Sequence, residues 1–131
     1  GEEEKGIFEI EVQITALEED AWIPDSVGTS SSSTAGFVFS ITEIGANTFT
    51  GQTIAFISET SSDTETNNRF RISEGSSERF TIRVEIDPTV TGAYGLELNT
   101  VRFSSSSIGS LTDFTVPDDP EYETNKISVD A

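Results

Sequence analysis

Apolar and polar residues alternate along this chain with a period of two, and the first instance is the clearest. Phe8, Ile10, Val12, Ile14 and Ala16 share one parity, while Glu9, Glu11, Gln13 and Thr15 hold the other. Successive side chains of a strand point to opposite faces, so the run has one apolar and one solvated face; a helix would scatter the same residues around its circumference. The pattern recurs at Phe37, Phe39 and Ile41, at Phe80, Ile82, Val84 and Ile86, and at Tyr94, Leu96 and Leu98. After Leu98 the phase slips by one to Val101 and Phe103, which predicts a β-bulge near Asn99 and Thr100.

Residues 52–59 place Ile54 and Phe56 on one side and Ala55 and Ile57 on the other, the signature of a strand buried on both faces. Residues 69–73 and 78–87 read as a hairpin about Glu74-Gly75-Ser76-Ser77, closed by Asp87-Pro88. Short strands are expected around 111–116 and 126–129. Pro24, Gly28 and the Ser/Thr tract 29–34 mark a long loop, and 104–110 is a second Ser-rich one. These signals predict an all-β, two-sheet antiparallel β-sandwich of seven to nine strands without helices. A chain of 131 residues fits one domain over 1–131, able to bury about two-thirds of its unfolded surface. Residues 1–6 form a polar N-terminal leader in this reading.

Two stretches carry a family resemblance. Thr91-Gly92-Ala93-Tyr94-Gly95-Leu96 follows a turn and enters a strand, and its Tyr94 resembles the tyrosine corner of immunoglobulin-like sandwiches. The block from Glu74 through Asp87-Pro88 to Leu98, with Thr15-Ala16-Leu17-Glu18-Glu19-Asp20-Ala21-Trp22-Ile23-Pro24, is similar to immunoglobulin-like domains of exported bacterial cell-surface proteins, notably those of ultra-small uncultured lineages. The resemblance implies a secreted or cell-surface sandwich module and transfers no catalytic residue.

The chemistry open to the chain is narrow. It contains no His and no Cys, so nucleophilic triads, a near-neutral imidazole base, disulfides and thiolate metal sites are excluded. Its only lysines are Lys5 and Lys126, near the chain ends. No enzymatic activity is expected, and no cofactor beyond structural calcium. For calcium, two oxygen-rich clusters stand out: Glu18, Glu19 and Asp20 with Asp25, and Asp118, Asp119 and Glu121 with Asp113 and Glu123. The spacing is not that of an EF-hand, and composition alone could generate both clusters.

A net charge of −17 disfavours nucleic-acid backbones and anionic membranes as partners. Against that charge, Arg69, Arg71, Arg79 and Arg83 fall within one expected hairpin, outward by parity. They read either as a docking face for an acidic neighbour, another copy of the chain included, or as cross-strand partners of Glu78, Glu85, Glu9 and Glu11. The strand carrying Phe8, Ile10, Val12 and Ile14 can complete its own sheet or be lent to the next subunit. Self-association through these residues, in a filament or a surface-protein array, is the first functional expectation. A glycan- or protein-binding module using a loop around Trp22 is the second, although Trp22 could equally plug one end of the sandwich.

Overall fold

The structure is a computed structural model that describes residues 5–44 and 48–130. Residues 1–4 of the expected leader lie outside the described residues, and Gly6 already belongs to the first strand. The described residues form eleven strand segments: β1 (Gly6–Thr15), β2 (Ala21–Pro24), β3 (Val27–Gly28), β4 (Phe37–Glu43), β5 (Gly51–Thr60), β6 (Glu65–Thr66), β7 (Arg69–Ile72), β8 (Ser77–Pro88), β9 (Gly92–Phe103), β10 (Thr112–Thr115) and β11 (Ile127–Val129). Among the described residues the one helical element is a 3-10 turn at Pro120–Tyr122. The chain is all-β, with several antiparallel sheets in an arrangement consistent with a β-sandwich.

One three-stranded sheet runs in the order β1-β8-β5, and a second in the order β2-β7-β6. They are two ends of one bent layer. Thr15 opposes Ser77 at the end of β1, and Ala21 opposes Ile72 at the start of β2, so register continues across the bend. Two bonds hold the join, Ala16 N–H to Ser76 O at 3.1 Å and Gly75 N–H to Ala16 O at 2.7 Å.

This corrects the expected hairpin. β7 and β8 are both antiparallel to the same chain, β2 followed by β1, so they run in the same sense, and residues 73–76 form a kink within one bent strand. Gly75, at φ 80°, supplies the left-handed step, and a turn signal of this kind fits a kink as well as a reversal. The reversal nearby lies instead at Asn67 and Asn68, with φ of 53° and 60°, between β6 and β7. Both central residues at positive φ is the type I′ requirement for a two-residue hairpin, which Asn tolerates.

The other layer runs β10-β9-β4-β3, with β11 also paired to β9. The expected bulge is present. Val38 opposes Thr100 and Phe39 opposes Leu98, leaving Asn99 as the extra residue. Its side chain meets Ser40 Oγ at 3.1–3.2 Å, and its carbonyl accepts Val116 N–H at 2.9 Å, so the bulge leaves its polar groups satisfied.

The core fills the space between the layers. Phe8, Ile10 and Val12 of β1 are buried, as are Phe80, Ile82, Val84 and Ile86 of β8 and Phe37, Phe39, Leu96 and Leu98 opposite. Phe37 and Phe80 touch across the layers with ring centroids 5.4 Å apart, and Phe70 approaches Phe80 at 5.9 Å. Tyr94 is fully buried and its hydroxyl donates to Val90 O at 2.6 Å, four residues upstream.

One burial expectation is corrected. Among the described residues β5 pairs only with β8, so it is an edge strand there, and they leave its outward face uncovered: Ile54 is 58% exposed and Phe56 40%. Ala55 and Ile57 alone pack on the core.

Candidate docking seam and acidic cluster

The structure gives each of the four arginines a partner inside the chain. Arg71 forms an ion pair with Asp20 at 2.9 Å. Arg69 donates to the carbonyls of Ser106 and Gly109 and so ties down the Ser-rich loop after β9. Arg79 lies 3.8 Å from Glu11 across the β1–β8 pair, and Arg83 lies 4.0 Å from Glu85. The pairs on β8 are at the solvated face and contribute little to stability. Arg102 repeats the loop-clamping device, donating to Ser32 O at 2.6 Å and Ala35 O at 3.1 Å and holding the other Ser/Thr tract.

β1 sits in its own sheet, in continuous register with β8 from Gly6 opposite Ile86 to Thr15 opposite Ser77. Phe8, Ile10 and Val12 therefore face this chain's core, while Ile14 is partly buried. Trp22 lies in strand β2 rather than a loop. It exchanges backbone hydrogen bonds with Ser104, at 2.7 and 2.9 Å, and opposes Arg71 on its other side. Half-buried there, it stitches the bent layer to the end of β9.

The two carboxylate clusters separate differently from expectation. In the first, Asp20 is taken by Arg71 and by Glu74 N–H, and Asp25 lies against Glu65 and raises its pKa, leaving Glu18 and Glu19 exposed. In the second, Asp119 caps the 3-10 turn through Glu121 N–H, and Asp113 pairs with Arg102. Asp118 and Glu123 converge instead with Glu97 of β9, the ligand atoms lying within 4.8 Å of one another. Glu97 enters because β10 and β11 are two pieces of one strand beside β9, and the excursion between them folds back over it: Glu97 bridges Glu123, and Leu96 and Thr124 exchange bonds at 2.8 Å. Calcium takes six to eight oxygens, and exposed carboxylates gathered in this way are common without an ion.

Burial, with Glu123 and Asp118 alongside, raises the Glu97 pKa above 4.5, partly opposed by Lys126. The folded state therefore holds this proton more tightly than the unfolded chain, and the linked stability falls as pH rises from 4.5 upward. Asp20 acts in the opposite sense. The hydrogen bond from Glu74 N–H and the pair with Arg71 lower its pKa below 3.8 against a burial penalty, so its contribution is lost as pH falls. Glu97→Gln is accordingly expected to raise the melting temperature at pH 7 and to converge on the parent at pH 4. Parallel thermal melts at the two pH values check this; an equal shift at both would show that the ionisation of Glu97 is not the cause.

A groove of about 610 Å³ opens where the two layers fail to close, between the end of β1 and β10. Val12, Ile14 and Ala16 form one wall, Leu98 and Val101 lie inside, and Phe103, Phe114 and Val116 form the other wall. Leu17, 77% exposed, and Phe114, 55% exposed, stand at its sides. Among the described residues both bordering strands are edges, β1 pairing with β8 alone and β10 with β9 alone. Glu18, Glu19 and Asp20 also line the groove, and its described lining contains no Lys or Arg. In the sequence these acids stand out for calcium while the groove has no signal, because Leu17 and Phe114 look like ordinary strand-end residues until the fold juxtaposes them. Its size lies in the range of ligand-binding clefts.

No family model, curated protein or solved structure matches the chain.

Proposed function

We propose that this chain is a non-catalytic structural module of the cell exterior, an immunoglobulin-like sandwich that joins a neighbouring polypeptide through the open seam between β1 and β10. The observation that carries this reading is the seam itself: an apolar groove, exposed Leu17 and Phe114 at its sides, and two strand edges paired on one side only. An unpaired edge beside an apolar groove is suited to strand addition, where backbone bonds hold the segment and alternate side chains enter the groove. The lack of His and Cys and the Tyr94–Val90 bond fit a scaffold of this kind. Export is supported by the resemblance of the Glu74–Leu98 block to surface-protein domains. Self-association through the four arginines has less support, since each is engaged within the chain.

Selection of a displayed random-decapeptide library on the chain tests the reading. Binders are expected to lose about tenfold or more in affinity for Phe114→Asp, the loss typical of an apolar anchor at an interface. Phe114 is exposed, so the variant should keep the parent's unfolding transition. Binders indifferent to this substitution would count against the seam.

A further inference from the structure

The seam has a sign as well as a shape. We infer that it accepts an extended basic segment of a different polypeptide, apolar at alternate positions and laid along the free edge of β1. This rests on the docking reading above and adds the occupant's chemistry.

Three observations select that occupant. First, β1 offers a longer free edge than β10, ten residues against four, and its last four residues, 12–15, border the groove. A strand added there would extend the layer β1-β8-β5 by one, with every second side chain directed inward. Second, Val12, Ile14, Leu98 and Val101 offer those side chains an apolar interior, and the groove's volume suits a few aliphatic groups rather than a globular surface.

Third, charge fixes the sign. Glu18 and Glu19 line one end with no cation paired to them among the described residues, whereas neighbouring Asp20 is held by Arg71. Across the groove Pro117 is followed by Asp118 and Asp119, and Tyr122 is flanked by Glu121 and Glu123. Acids at one end of an apolar interior, with more acids next to Pro117 and Tyr122 in the chain, attract Lys and Arg at the outward positions of an added strand.

The same charges argue against a second copy of this chain as the occupant. Any copy carries −17, and its leader Glu2-Glu3-Glu4 and outward β1 residues Glu9 and Glu11 would meet Glu18 and Glu19 with like sign. Nucleic-acid phosphates and anionic lipid are disfavoured on the same ground.

Calorimetric titration of the full chain with three decapeptides tests the inference: alternating Lys-Val, alternating Ser-Val and alternating Glu-Val. The Lys-Val peptide is expected to bind about tenfold more tightly than Ser-Val at low salt, with Glu-Val weakest, and the advantage should shrink at high salt as the charges are screened. Glu18→Lys/Glu19→Lys should abolish the advantage, while the charge-matched Glu59→Lys/Asp63→Lys, on and beyond β5, should leave most of it. Equal loss in both double variants would mean general attraction to an acidic protein and would overturn the inference. If Ser-Val binds as well as Lys-Val and both are lost in Phe114→Asp, the basic occupant is wrong but docking at the seam stands. If Phe114→Asp changes the binding of none of the peptides, the docking reading fails as well.

Discussion

Phe80→Ala is expected to lower the stability of this chain by about 3–5 kcal/mol, the range for removing a buried aromatic from a well-packed core. Phe80 is fully buried at the point where three segments meet: Phe37 from the opposite layer at 5.4 Å, Phe70 from the bent half of its own layer at 5.9 Å, and Val12 opposite it on β1. Such a site cannot collapse easily, because the atoms around the void belong to strands held by separate hydrogen-bond ladders. The loss corresponds to a fall in melting temperature on the order of 10–20 °C. Phe56→Ala supplies the contrast, since Phe56 lies on the uncovered face of β5 and its truncation should stay within about 0.5 kcal/mol. Urea midpoints for the pair check the assignment; comparable losses would mean that the outward face of β5 is covered after all.

Gly36→Ala should rank next, and for a steric reason alone. An added Cβ at Gly36 would overlap the carbonyl oxygen of Pro24 and stand 3.0 Å from Ile23 Cγ2. The first of these is backbone, so it cannot swing aside. Gly36 is also pinned from both sides, its N–H donating to Ser26 O at 3.0 Å and its carbonyl accepting from Arg102 at 2.8 Å. Relieving the overlap pulls β4 away from β2 and β3 together, at a cost of about 1–3 kcal/mol or more. Gly75→Ala is the matched opposite: open space around the new Cβ, but φ of 80°, for which a strain of about 1–2 kcal/mol is expected. Denaturant midpoints should place Gly36→Ala below Gly75→Ala. The reverse order would mean that the β2–β4 approach is looser than drawn.

Much of this architecture is legible in the sequence because period-two alternation reports directly on which side chains face a core. β1, β4, β8 and β9 follow from it, and the bulge at Asn99 follows from a one-residue phase slip that nothing else explains. What alternation cannot report is direction. The segment Ser73-Glu74-Gly75-Ser76 supplies a left-handed step, and only the partners of β7 and β8 decide whether the chain reverses or merely bends. Position within a sheet is equally hidden, since Ile54 and Phe56 look buried until β5 proves to be an edge. Site residues suffered most. Glu97 is an unremarkable outward residue of β9 until the excursion between β10 and β11 carries Asp118 and Glu123 to it. Leu17 and Phe114 become neighbours of one groove only through the failure of the two layers to close. Trp22 carried the opposite error, its flanking acids and Pro24 giving a strand the look of a loop.

The most direct test of docking at the seam is an amide NMR titration of the labelled chain with the Lys-Val decapeptide. Shift changes are expected to concentrate on residues 12–17 and 112–116, the two borders of the groove. Changes centred on Ile7, Ile54 and Phe56 at the outer face of β1 and β5, or on Trp22, would contradict it.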